Sequence, residues 1–190
     1  MKEKNKIAVI LNIFFFIIQI LILIGLLKIK QYHYMGSVII ATSFFIIYIF
    51  IENKYNLYLN NYIRTIAMIS IISHSFLGKY LNLYITSFSF DIILHIFGVY
   101  AFTLLFYSLV NQLISKHYFS RSYEVIFTIL LGISLGTILE VIECLIDIMV
   151  QSEIPHQLSL IDTDIDIISN IIGSILAAIH LFLIDFKLIK

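Results

Sequence analysis

The chain has 190 residues, 61% of them hydrophobic and 13% charged, with no formal net charge and a mean hydropathy of +1.01. A soluble domain is about 45–50% apolar and about 25% charged, so this composition excludes an ordinary soluble domain and points to a chain that crosses a membrane several times. With no basic excess there is no electrostatic footprint for nucleic acid, and a single cysteine, Cys144, excludes an internal disulfide.

Six apolar runs follow in order, at about 7–27, 35–51, 63–77, 90–113, 123–150 and 166–184. A helix needs about 20 residues to span the hydrocarbon core, so the third run is short. The first run follows MKEKNK, as a signal peptide would. It ends in GLLKIK without a small-x-small cleavage pattern, which favours a retained helix. Isoleucine and phenylalanine are frequent, but uninterrupted runs of this length read as helices, because lipid requires internally satisfied backbones. One proline and no Pro/Gly/Ser-rich linker predict a single integral membrane domain over residues 1–190. The expected fold is all-α, a polytopic transmembrane bundle of about six helices.

Six crossings place both termini on one side. With the N-terminus inside, the inner segments hold nine basic residues: Lys2, Lys4, Lys6, Lys54, Arg64, Lys116, Arg121, Lys187 and Lys190. The outer segments hold three, Lys28, Lys30 and Lys79, so the positive-inside rule predicts cytoplasmic termini. The acids sort the other way. Asp91, Glu140, Glu143, Asp147, Glu153, Asp162, Asp164 and Asp166 fall toward the outside, and Glu3, Glu52, Glu124 and Asp185 inside.

The fourth to sixth runs explain this sorting. At 3.6 residues per turn, Asp91, His95, Gly98 and Phe102 share one stripe of the fourth helix. Gly132, Gly136, Glu140, Glu143 and Asp147 share one of the fifth, and Asp166, Asn170, Gly173 and Ala177 one of the sixth. The fifth helix runs opposite to its neighbours, and its glycines precede its acids, whereas in the other two the polar residues come first. All three therefore predict a polar pocket in the outer half over a seam of small residues, which let helices approach closely. A charge at mid-bilayer costs about 2.5–3.5 kcal/mol on insertion scales. Glu140 and Glu143 thus need a proton, a cation or hydrogen bonds. They serve either as a hydrogen-bonded structural pair or as catalytic acid/base groups with Asp166.

Asp91 and His95, at i and i+4, fit metal ligation from one helix face, with Glu143 as a third ligand. The same pair also reads as an N-cap followed by a core histidine. Asn170, Asp162, His74 and Asp147 are candidate ligand-binding residues. Asp162, Asp164 and Asp166 form either a cation-binding loop or acids that favour the start of a helix. Asn12 and Gln19 read either as packing polars of the first helix or as residues lining a path, and His180 receives no role. There is no nucleophile elbow, P-loop or HExxH pattern, and DTDID lacks the glycine and length of an EF-hand loop.

Four segments carry a resemblance: SHSFLGKYLNLY from Ser73, FDIILHIFG at 90–98, LEVIE at 139–143 and IDTDIDIISNIIG at 161–173. In that order they resemble the motifs of the YjdF-like family of bacterial inner-membrane proteins, with Cys144 standing where the pattern has tryptophan. The last segment also resembles the signature of VanZ-like membrane proteins. The resemblance covers roughly residues 63–184. It implies the bacterial cytoplasmic (inner) membrane and a shared site rather than a particular reaction.

Three functions remain open on the residues. One is a divalent-cation-dependent enzyme acting on a membrane lipid or lipid-linked envelope component. Another is a proton- or cation-coupled transporter, which the scarcity of inner-half acids disfavours. The third is a non-catalytic envelope-binding or scaffold protein.

Overall fold

The computed structural model describes residues 6–114, 120–150, 157 and 159–183. Lys2, Glu3, Lys4, Lys116, Glu153, Asp185, Lys187 and Lys190 lie outside the described residues. Among the described residues the protein is entirely helical. The elements are α1 (Lys6–Lys28), α2 (Tyr32–Lys54), α3 (Asn61–Ile72), a π-helical segment (Ser73–Tyr80) that continues α3, a single turn α4 (Leu83–Thr86), α5 (Phe88–Leu113), α6 (Arg121–Val150) and α7 (Leu160–Leu183). Five of them, α1, α2, α5, α6 and α7, are long and apolar enough to cross a membrane.

The third apolar run differs from expectation in its geometry. Its α-helical part has 12 residues, a rise of about 18 Å at 1.5 Å per residue, and it then widens into π-turns. Asn60 caps its start, accepting a hydrogen bond from the Tyr62 amide at 2.7 Å. The last helix also differs. It starts at Leu160, not at 166, because Ser159 caps it: its hydroxyl accepts the Asp162 N–H at 3.1 Å and its carbonyl the Thr163 N–H at 3.2 Å. The Ser159 hydroxyl thus satisfies one of the amides that a helix start leaves unpaired. Asp162 and Asp164 therefore belong to the opening turns of α7, where acids complement the helix dipole, and do not form a loop.

The chain divides into two compact units, Met1–Phe90 and Asp91–Lys190. In the first, α1 buries Phe15, Gln19, Ile22 and Leu26, a stripe with steps of four, three and four residues. Phe15 meets Phe45 of α2 with ring centroids 4.9 Å apart, and Ile22, Leu26 and Val38 form a core with Tyr34 and Tyr80. Arg64 of α3 is 1% exposed. It pairs with Glu52 of α2 and donates to Asn12 Oδ1 of α1 at 3.0 Å.

In the second unit, α6 and α7 form the most extensive helix pair. The buried face of α7 is Asp166, Ser169, Asn170, Gly173, Ser174, Ala177 and Ala178, and its small residues permit close packing. A Cβ at Gly173 would overlap the Ile96 carbonyl of α5, and one at Gly132 would overlap the hydroxyls of Ser174 and Thr103. The three helices thus pack closely at their glycines, with α7 against the α5 backbone at Gly173 and α6 against small polar side chains of α5 and α7 at Gly132. By contrast, the outward faces of the long helices are rows of exposed apolar side chains, such as Ile10, Ile13, Phe14, Ile17 and Leu21 on α1. A continuous exposed apolar surface of this extent suits lipid, not water.

Candidate functional site

At the start of α5 and α7 the polar stripes converge on one imidazole. His95 Nε2 lies 3.4 Å from Asp91 Oδ1 and 3.7 Å from Asp166 Oδ1. On its other side, Nδ1 lies 3.1 Å from Asn170 Oδ1 and 3.6 Å from Glu140 Oε1. The first of these last two is a hydrogen bond and the second an electrostatic contact. Asn170 points its amide nitrogen at Glu140 Oε1, 3.5 Å away, so its carbonyl oxygen faces the ring. The order of donors then runs from His95 Nδ1–H to Asn170 and from Asn170 to Glu140. His95 Nε2 is left facing Asp91 and Asp166.

Burial makes this arrangement consequential. Glu140 and Asp166 are each 5% exposed and Asn170 2%, while Asp91 and His95 are half-buried. Three carboxyl groups around one imidazole in an apolar surround require a positive charge or protons among them. One ligand atom each from Asp91, His95 and Asp166 lies within 4.8 Å of the others, so these three could close on a metal ion. A ligating histidine characteristically donates its other ring N–H to an oxygen that fixes its tautomer, and Asn170 occupies that position.

A model of the predicted membrane protein family DUF2238 matches residues 9–185. The chain belongs to this family. No curated protein and no solved structure matches it.

In this DUF2238 protein the sequence-derived candidates separate. Asp91, His95, Glu140, Asp166 and Asn170 come together as helical periodicity requires. Glu143, expected as a third ligand, is half-buried one turn beyond Glu140 on α6, and the group able to close on an ion contains Asp166 and not Glu143. Asp147 is one further turn along and accepts the Gln157 backbone N–H at 2.9 Å. Asp162 is half-buried in the capped first turn of α7. His74 lies in the first unit, with Ser37 Oγ at Nε2 and Tyr84 OH at Nδ1, whereas every residue of the His95 cluster belongs to the second.

One participant escaped the sequence reading. Gln157, between α6 and α7, donates its amide to the Glu140 carbonyl at 3.0 Å and approaches Glu140 Oε2 at 3.5 Å. Neither helix period reaches a residue in that connection. The only hint was a neutral hydrogen-bonding side chain amid an acidic stretch.

Proposed function

We propose that this DUF2238 protein is a multi-pass protein of the bacterial cytoplasmic membrane that holds a divalent cation between Asp91, His95 and Asp166 and uses it to bind a membrane lipid or lipid-linked envelope component from the outer side. The observation that carries this reading is the approach of those three ligand atoms to within 4.8 Å of one another.

The donor chemistry fits a hard or borderline ion. Two carboxylate oxygens and one imidazole nitrogen suit Mg²⁺, Mn²⁺ or Zn²⁺, and three protein ligands leave positions for water or a substrate oxygen. A cation there offsets the buried carboxylates. Bound, it would polarise a phosphoryl or carbonyl oxygen and lower the pKa of a coordinated water. Glu140, 3.6 Å from His95, stands beside those positions as an acid or base. Glu143 and Asp147, one and two turns on, extend the acidic wall. Kinship with YjdF-like proteins, and more distantly with VanZ-like ones, belongs to the same reading, as do cytoplasmic termini and a sixth crossing made by α3 with its π-helical segment.

Binding is favoured over transport by the floor of the site. Below Asn170, Gly132 meets Ser174 and Thr103 so closely that a methyl group would not fit. A cation entering from above meets closely packed side chains at that level.

The test is metal analysis of purified protein. About one equivalent of a divalent metal is expected in the wild type, with loss in Asp91→Asn and Asp166→Asn. A folded wild type with no metal, even after incubation with Mg²⁺, Mn²⁺ or Zn²⁺, would remove the proposal. The cluster would then be a histidinium held by carboxylates. A lipid that co-purifies unchanged and is not turned over after metal loading would assign the site to binding alone.

A further inference from the structure

The first unit contains a separate constellation that the His95 site does not use. Two hydroxyl side chains from different helices meet at His74. Ser37 of α2 places Oγ 2.8 Å from Nε2, and Tyr84 of α4 places its hydroxyl 2.6 Å from Nδ1.

Two uncommon backbone conformations and one side-chain gap build this contact. His74 lies in the π-helical segment, and π-turns are rare and concentrate at functional sites. Gly78, four residues on, leaves the space that the Tyr84 ring fills: any Cβ there would overlap it. Asn82 stands at φ 61°, in the left-handed region that non-glycine residues seldom occupy. This turn leads directly into α4 and brings Tyr84 back over the π-helical segment. The side chain of Asn82 is in turn held by the Tyr34 hydroxyl at 2.8 Å.

A neutral imidazole satisfies this geometry in one productive way. Nδ1–H donates to the Tyr84 oxygen, and the Nε2 lone pair accepts the Ser37 proton. That is the arrangement of nucleophile, base and orienting group. Ser37 itself is half-buried. Gly36 beside Ser37 is exposed, and a Cβ there would meet nothing within 4 Å. Exposed Ile39, Ile40 and Phe76 lie near in the chain and present apolar surface suited to acyl chains.

We propose that Ser37, His74 and Tyr84 form a second chemical centre, with Ser37 as nucleophile toward the ester carbonyl of a membrane lipid. Ser37 Oγ bonds to the carbonyl carbon as its proton passes to His74 Nε2. The tetrahedral adduct expels the alcohol by breaking its carbon–oxygen bond, and the leaving oxygen takes the proton from Nε2. Water then attacks the acyl-serine through the same base, releasing a fatty acid and restoring the Ser37 hydroxyl. No oxidant, reductant or cofactor is needed. Tyr84 acts as a positioning residue through its hydrogen bond to Nδ1. None of this depends on a metal in the second unit.

The experiment uses the full chain in detergent, treated with an alkyl fluorophosphonate, and locates the adduct by mass spectrometry. Ser37 is expected to be labelled, and Ser37→Ala to abolish the adduct. His74→Gln should slow labelling about 100-fold, the lower end of what general-base assistance supplies. Tyr84→Phe should lower the limiting rate while leaving the half-saturating probe concentration unchanged, a split that mere loosening of the fold does not give. Ser43→Ala is the control, since Ser43 is half-buried on the same helix and its hydroxyl donates to the Ile39 carbonyl at 2.8 Å, and should label like the wild type. An unlabelled Ser37 in folded wild type, or a rate indifferent to His74→Gln, would overturn the proposal. Should His74→Gln fail to fold, the presence or absence of the wild-type adduct decides alone.

Discussion

Replacing Gly136 by alanine should weaken cation binding without touching a ligand. A Cβ at 136 would stand 2.6 Å from Asn170 Cβ, 2.7 Å from Cγ and 2.8 Å from Nδ2. To regain ordinary contact Asn170 must retreat by about 0.8 Å, since carbon atoms pack at roughly 3.4–4 Å. A shift of that size is large against the 3.1 Å bond from His95 Nδ1 to Asn170 Oδ1, which lies close to the ordinary limit of about 3.2 Å, and should disrupt it. His95 then loses the group that fixes its tautomer. Loss of such outer partners weakens metal binding about 10–100-fold, or about 1.4–2.7 kcal/mol. The assay is calorimetric titration of metal-free protein with Mn²⁺, with helix content measured on the same sample. Overpacking will also cost about 1–3 kcal/mol of stability, so affinity is compared at a temperature where both proteins are folded. Gly36→Ala, at a site where a methyl group meets nothing within 4 Å, is the neutral control. If folded Gly136→Ala binds Mn²⁺ as tightly as the wild type, the role given to Asn170 is wrong.

Three other outcomes follow from the same packing. Gly173→Ala pushes a methyl group into the Ile96 carbonyl, which cannot swing aside. A loss of about 1–3 kcal/mol should appear as a lower thermal midpoint, with or without metal. Arg64→Leu leaves the half-buried Glu52 carboxylate without its guanidinium and should cost about 3–5 kcal/mol, whereas Arg64→Leu combined with Glu52→Leu should cost clearly less in the same melt. Gln157→Ala keeps the backbone N–H that Asp147 accepts but removes the amide on the Glu140 carbonyl. Mn²⁺ affinity should fall by less than tenfold, and an unchanged value would show that Gln157 does not support Glu140.

Much of the second unit was legible because helical periodicity is a strong constraint in an apolar chain. Spacings of three and four residues put Asp91 with His95, Glu140 below Glu143, and Asp166 with Asn170. Glycines on the same stripes fixed which faces would meet. What periodicity could not supply was the order of ligands around the imidazole. Whether Asp166 or Glu143 joins Asp91 and His95 depends on how the helices pack against one another, which no single helix's period carries. Acids before a helix and acids within its first turn look alike in sequence, so the Ser159 cap was missed.

The first unit was harder to read for a different reason. Its polar groups lie far apart in sequence and on no common stripe. Arg64 counts as one more inner basic residue until α2 and α3 pack and place Glu52 against it. Ser37 is an ordinary helix serine. Only the π-helical segment and the left-handed turn at Asn82 bring His74 and Tyr84 onto it, and neither has a periodic signature. Among the described residues five helices carry membrane-spanning length and hydropathy, which depend on length and composition and not on tertiary contacts. The third run, interrupted by π-turns, does not follow that rule.

Electron spin-echo measurement on Mn²⁺ bound to the purified protein bears most directly on the His95 cluster, because it reports whether an imidazole nitrogen touches the metal. Nitrogen modulation is expected in the wild type, retained in Glu143→Gln and lost in His95→Gln. Mn²⁺ bound without that modulation, or with modulation that survives His95→Gln, would contradict a site built on Asp91, His95 and Asp166.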